Sequence, residues 1–344
     1  MFKLSFKDKN NKCPICNGNI FKTSNSLNID KSSKINWISD SSFELSGLNK
    51  ADSYLTTCYS CFHSVLMPYY DVNKLYSPEL GYKVRKKIYE NYFPDKVYGQ
   101  KSRLLNRDKL FSKSAKEVKR FYKNLLLIEK LFKFDKNNFE DFSILDYGGG
   151  DGYVSTVYSE IIGIVLNKKV NYYIYDFNKW KNSKGKIFNK KNNSKFQLII
   201  LSHVLEHNHN PIKIIRDAIK YADQDAIILI EVPDQRYLFF KGLLGSKFGM
   251  DYHVSFFSRK SLTRLLNKCR INIVKTIYDS NSSYRGEDLE AIIAIGRVNN
   301  KGRANKSEPS LPFELLSILL SIFAKLKRNI KKRIFTKIEK ILKR

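Results

Sequence analysis

ILDYGGGDG, residues 144–152, is the stretch on which the fold turns. Its first half is short and apolar, as a buried strand should be, and it runs directly into glycines. YVSTVYSEII follows with helical spacing. Strand, glycine turn and helix in that order open a β–α unit. Gly148, Gly150 and Gly152 stand in G-x-G-x-G spacing behind Asp146. Glycines there let a cofactor lie against the loop, near helix N-terminal amides. A tight β–α turn with no ligand is the alternative. A dinucleotide fingerprint would need its third glycine at position 153, which is Tyr153.

Downstream the alternation continues. VNYYIYDF (170–177) reads as a second strand and carries Asp176 at its end, 24 residues after Gly152. A carboxylate at that strand end can accept both ribose hydroxyl protons. FQLIILSH (196–203) is nearly continuous in apolar residues, as a strand buried on both faces should be. AIILIEVP (226–233) is a fourth strand, and RINIVKTIYD (270–279) and LEAIIAIGRV (289–298) read as two closing strands. PIKIIRDAIKYA (211–222) and SRKSLTRLLNKC (258–269) lie between them with helical periodicity. The pattern predicts an α/β fold: a Rossmann-like, doubly wound, mostly parallel sheet with an antiparallel closing strand.

SHVLEHNHNP (202–211) spells H-x-x-E-H with His203, Glu206 and His207. An inverted zinc-peptidase site uses that spacing, but within a long helix and with a third, distal ligand. Here a strand runs straight into the motif and Pro211 lies four residues after His207, so a peptidase is not expected. Glu206 and His207 either serve a site at the strand end or merely order the loop.

Cys13-Pro-Ile-Cys16 and Cys58-Tyr-Ser-Cys61 form two C-x2-C pairs separated by 41 residues. Each pair can give two thiolates to one tetrahedral Zn²⁺, and a site of four cysteines would be structural because no position stays open. The separation exceeds a zinc-ribbon's usual spacing, so a loop must be inserted. Free or degenerate cysteines are the alternative. Cys269 stands alone and reads as a small buried hydrophobe.

These segments divide the chain into a zinc-ribbon-like four-cysteine domain (1–70), a helical connecting region (71–139), the α/β core (140–298), a linker (299–310) and a basic amphipathic tail (311–344). Within the connecting region, 112–134 has the clearest helical spacing. Residues 325–344 carry ten Lys/Arg and one Glu, with Leu326, Ile330, Ile334, Ile338, Ile341 and Leu342 on one stripe. Such a helix lies in an anionic membrane interface; packing on the core or a partner is the alternative.

The chain has 344 residues and a formal net charge of +29. That surplus invites nucleic-acid or anionic-membrane binding, or reflects a bias toward Lys, Asn, Ile, Phe and Tyr. No apolar run approaches the roughly 18 residues of a span, and MFKLSFKDKN lacks the apolar run of a signal peptide. Five cysteines in such a chain fit a reducing cytoplasm. The expected location is the cytoplasm, peripheral at the inner membrane face.

Asp146-x-Gly148-x-Gly150-x-Gly152, Asp176 and FQLIILSHVLEH together resemble a class I S-adenosylmethionine-dependent methyltransferase, over about residues 140–298. The resemblance implies S-adenosylmethionine as cofactor, held by Asp146, Gly148, Gly150, Gly152, Asp176, Phe177, Ser202 and His203. It makes 204–207 the turn lining the methyl-donor side of the cleft. Gln197 departs from the family's frequent Asp, and KGKIFNKKNNSK (184–195) offers no acid for the adenine amine. DYHVSFFSRKSLTRLL (251–266) is similar to an H-x-S-x-F-S-like segment of sugar and small-molecule methyltransferases. That likeness implies His253 as the base facing the acceptor, with Tyr252 and His207 beside it and Glu231 able to join. The alternative is a histidine hydrogen-bonded into the loop.

The two C-x2-C pairs also resemble the zinc-binding domain that precedes this core in sugar C-methyltransferases. Some of those carry a further C-terminal domain, whereas here only the linker and tail follow the last strand, which speaks against ketose C-methylation. The expected function is methylation of a sugar, sugar nucleotide or lipid-linked surface glycan. An RNA methyltransferase is the first rival, suggested by the charge and the cysteine module. SHVLEH stands where base-amino methyltransferases place Asn/Asp-Pro-Pro-aromatic, so nucleic acid is not the expected partner. A non-catalytic scaffold is the second rival.

Overall fold

The computed structural model describes residues 12–22, 54–67, 123–124, 126–128, 130, 142–150, 170–177, 186–189, 194–235, 253–279, 283–284, 287–288 and 291–298. Gly152, Tyr252, the linker and the tail lie outside them, as does most of the connecting region; its six described residues are helical, with Ile128 buried. The chain divides into two units, Met1–Lys306 and Ser307–Arg344. Every described residue belongs to the first.

The N-terminal strands are β1 (Ile20–Lys22), β2 (Tyr54–Cys58) and β3 (Ser64–Met67). They pair antiparallel in that order. The core follows with β4 (Phe142–Tyr147), β5 (Val170–Tyr175), the edge strand β6 (Lys186–Ile187) and β7 (Phe196–Ser202). A 3-10 turn at Leu205–His207 leads to α1 (Pro211–Ile219), β8 (Ala222–Pro233), β9 (Ser255–Phe256) and α2 (Arg259–Lys268). The chain continues through β10 (Ile271–Asp279), the short pair β11 (Ser283–Tyr284) and β12 (Glu287–Asp288), and β13 (Ala291–Val298).

The central sheet has seven strands in the order β10-β13-β8-β7-β4-β5-β6. Pairs from β8 to β6 are parallel, and β13 runs antiparallel to both β8 and β10. The mixed, mostly parallel α/β sheet is therefore the one the sequence predicts. Buried Ile144, Leu145, Ile199, Ile200 and Leu201 fill β4 and β7, as expected of central strands covered on both faces. Asn210 caps α1 through its side chain, with Pro211 at the first helical position. Ser258 and Ser261 form a reciprocal capping box at the start of α2.

Strand order reverses at β4, which has β5 on one side and β7 on the other. In open parallel sheets the crevice at that switch point, outside the carboxyl ends of the strands, takes the ligand. Here those ends are the glycine loop and Ser202–His203.

The N-terminal strands do not form a free-standing sheet. Strand β9, from the core sequence, pairs antiparallel with β3 and becomes the fourth strand. Ser258 donates from Oγ to the carbonyl of Cys61 at 3.0 Å. Gln235, at the end of β8, bonds the hydroxyl of Ser64.

Candidate active site

The glycine loop is clamped to the end of β5. The amides of Gly148 and Gly149 donate to the Tyr175 carbonyl at 2.6 and 3.3 Å, and the Gly150 amide donates to Asp176 Oδ2 at 2.9 Å. Gly148 has φ +83° and Gly150 φ +57°, a backbone that L side chains resist. A Cβ at Gly148 would lie 2.7 Å from Val204 Cγ2, so the loop abuts the turn after β7. Asp146 is buried beneath the loop, with its carboxyl group against Gly149. Phe177 is 53% exposed beside Asp176, its ring edge-on to Tyr175. An acid and an exposed aromatic face thus sit together at the strand end.

Asp176→Ala should weaken S-adenosylmethionine binding about 10- to 150-fold. That is the effect of losing hydrogen bonds to a charged group, about 1.5–3 kcal/mol. Calorimetric titration of both proteins measures it; equal affinity removes Asp176 from the site.

At the end of β7, Ser202 donates to Glu231 Oε2 at 3.0 Å. His203 follows with φ +56°, a strained backbone for a non-glycine residue and one that clusters at functional sites. Its Nδ1 lies 3.0 Å from Glu206 Oε1, and its Nε2 3.9 Å from Glu231 Oε1. The imidazole of His203 therefore bonds one buried carboxylate and lies near a second. The sequence alone offers Glu231 as a residue able to join His253, and the fold brings it on β8 opposite Ser202.

His253 joins this group from a distant part of the chain. The Val254 amide donates to the Glu206 carbonyl at 2.8 Å, and Ser255 Oγ donates to the Asn208 carbonyl at 2.5 Å. These bonds bring His253 Nε2 to 4.0 Å from Glu206 Oε1 and its ring to 4.9 Å from that of His207. Desolvation, with His207 nearby, holds His253 down at about 3, so it is neutral. Burial pushes Glu206 up, but the bond from His203 and the surrounding imidazoles outweigh it and hold the carboxyl at about 2. The site is thus a charged carboxylate beside a neutral imidazole. The H-x-x-E-H letters do not form a peptidase helix: a strand enters a three-residue turn, and His203 bonds Glu206.

Gln197 lies at the other end of β7. It accepts from the Ser143 amide at 2.8 Å and donates to Asp223 at 3.2 Å, tying the starts of β4 and β7 together.

Cys13, Cys16, Cys58 and Cys61 converge. Their sulfurs stand 3.4 Å apart for Cys16–Cys58 and 3.6 Å for Cys13–Cys61 and Cys16–Cys61. A tetrahedron with bonds of about 2.3 Å to zinc has edges of about 3.8 Å. Two matching turns present the pairs. Asn17 and Phe62 each follow the second cysteine with φ +59° and +57°, and their amides donate to the Cys13 and Cys58 carbonyls, both at 2.9 Å. The Gly18 amide donates to Cys16 Sγ at 3.4 Å, and a Cβ there would press on the sulfurs of Cys16 and Cys58 at 3.1 Å. Sulfur bonds, chiefly with Cys58, and burial push Cys13 up to about 12, whereas bonds from Cys13 and Cys61 pull Cys58 down. Four thiolates this close need a cation to ionise together. The donor set suits Zn²⁺.

Residues 115–275 match the family described as a methyltransferase domain. No curated protein matches the chain. Similar solved structures include a SAM-dependent methyltransferase from Methanosarcina mazei, at 16% identity and TM-score 0.35, covering 50% of this chain and 96% of that one. Another is the 1,6-didemethyltoxoflavin-N1-methyltransferase of Burkholderia thailandensis with bound S-adenosylhomocysteine, at 11% identity and TM-score 0.41, covering 73% and 97%. A third is the magnesium protoporphyrin IX methyltransferase of Synechocystis, at 12% identity and TM-score 0.40, covering 63% and 100%. The domain match falls on the strands that build the glycine loop, Asp176 and the turn after β7. Residues 115–275 thus carry a methyltransferase domain, and the mixed, mostly parallel sheet they contribute to is consistent with the Rossmann-like class I fold.

Proposed function

We propose that the chain transfers a methyl group to a hydroxyl of a sugar, sugar nucleotide or lipid-linked glycan. The observation that carries this reading is the group of Glu206, His207 and His253 after β7. A sulfonium methyl is already electrophilic, so the protein must align the acceptor and accommodate its proton. A neutral imidazole 4.0 Å from a charged carboxylate can receive that proton, and the carboxylate offsets the charge that forms. Asp146, the glycine loop, Asp176, Phe177 and Ser202 would hold the cofactor. Cys13, Cys16, Cys58 and Cys61 would hold one structural Zn²⁺, which performs no chemistry and fixes the N-terminal strands.

Labelled S-adenosylmethionine, offered with lipid-linked glycans, sugar nucleotides and total RNA, tests the acceptor class. Label should enter a carbohydrate fraction. Label in RNA would replace this reading with the nucleic-acid one, to which the net charge of +29 points. Cofactor binding with no transfer to any fraction would favour a scaffold.

The basic tail fits an acceptor carried on an anionic membrane, with each basic residue near the surface contributing on the order of 1 kcal/mol. The full chain should then pellet with anionic liposomes and be released by salt, while a chain ending at Asn300 stays in solution. Equal pelleting of the two would remove the membrane anchor.

A further inference from the structure

We infer that Glu206, His207 and His253 form a divalent-cation site, separate from the four cysteines, that binds the acceptor's oxygens. The inference deepens the hydroxyl-acceptor reading and rests on it for the acceptor, but the cation site stands on its own geometry. One ligand atom from each of the three residues lies within 4.8 Å of the others. Cation bonds of about 2.0–2.2 Å put neighbouring ligands roughly 3–4 Å apart, and Glu206 Oε1 and His253 Nε2 are already 4.0 Å apart. Small side-chain rotations close the set.

Glu206 supplies an independent pointer to a missing ligand. It is 1% exposed, and its Oε1 faces His203, yet its Oε2 has no hydrogen-bond partner among the described residues. A buried carboxylate oxygen left without a donor is costly, and a cation relieves it. His203 supplies the outer support. Its Nδ1 orients Glu206, and its other nitrogen faces Glu231, an arrangement typical of the shell around a metal ligand. The strained backbone of His203 is what aims its ring between the two acids.

Two imidazoles and one carboxylate form a donor set for Zn²⁺, Fe²⁺ or Mn²⁺, and three protein ligands leave positions open. Neighbouring hydroxyls of a sugar can fill two of them. With a cation bound, His253 serves as a ligand rather than as the base, and the cation lowers the pKa of a bound hydroxyl and orients it, its proton passing to water. The ligands sit just beyond Ser202, on the side of the switch-point crevice where the turn after β7 abuts the glycine loop.

Mn²⁺ is the probe, because it suits carboxylate and hydroxyl oxygens and leaves thiolate sites to zinc. Titrated into the full-length protein as purified and followed by electron paramagnetic resonance, one Mn²⁺ per chain should bind. Affinity should fall at least tenfold in Glu206→Gln and in His253→Asn, while both variants still bind S-adenosylmethionine. His207→Gln serves as a third variant should either fail to fold. No uptake by the wild type at millimolar Mn²⁺, or equal uptake by the folded variants, overturns the site. If the wild type fails to bind S-adenosylmethionine, the methyltransferase reading fails instead, whatever Mn²⁺ does.

Discussion

Gly149→Ala should weaken S-adenosylmethionine binding on the order of 10- to 150-fold and lower stability as well, for a change of one methyl group. Gly149 does not need a left-handed backbone, so the effect comes from space alone. A Cβ there would lie 2.8 Å from Asp146 Cβ and overlap the carboxyl group beyond it. Asp146 is 1% exposed at the end of a central strand, so its carboxyl has little room to move. Rotating it away removes an acceptor at the base of the cofactor loop and disturbs amides that bond Tyr175. Overpacking of this kind typically costs about 1–3 kcal/mol of stability, and a lost charged hydrogen bond about 1.5–3 kcal/mol of affinity. Calorimetry measures the affinity and thermal unfolding the stability. An alanine variant that binds as well as the wild type would take Asp146 and this part of the loop out of the cofactor site.

Cys61→Ser, or removal of the metal by a strong chelator, should unfold β1 to β3 and abolish activity with them. Structural zinc contributes about 10–16 kcal/mol in small zinc-binding peptides, which is comparable to the entire stability of a domain. The N-terminal strands are short, and much of their buried core is the cysteines themselves with Ile15, Ile20 and Val65. The damage should spread. Strand β9 loses its partner, Ser258 loses the Cys61 carbonyl, and His253 sits two residues before β9. Elemental analysis of purified protein should find about one zinc per chain. Hydrogen exchange should rise together over residues 54–67 and 253–258 when it is removed. A metal-free wild type with unchanged exchange and activity would refute the structural zinc.

Much of the core was legible because its signals are local. Apolar runs marked β4, β7 and β8, and adjacent glycines marked the turn. The G-x-G-x-G spacing marks only the neighbours of Gly149, whose need for glycine arises from a buried carboxyl met only in the folded loop. The pairing of β9 with β3 was beyond reach for a similar reason. A two-residue strand has no periodicity to read, and its partner lies nearly two hundred residues away. Ser255 and Ser258 belong to the H-x-S-x-F-S-like segment that resembles an acceptor site. Their bonds show them building the sheet, the helix cap and the tie to Cys61. His253 itself lies beside Glu206 and His207. Tyr252 and Gly152 fall outside the described residues.

The shared sheet also sets an order of events in time. Cys61 and Ser258 are 197 residues apart. At roughly 5–20 residues per second, a ribosome needs about 10–40 s to deliver the second after the first. During that interval all four cysteines have been made, yet the open edge of β3 has no strand to accept. An unpaired edge is a template for the wrong partner. Long-range closure of this kind is slow, and here it must wait for most of the core. The docking of β9 also seats His253, so the group of Glu206, His207 and His253 is not assembled until these two distant segments have met.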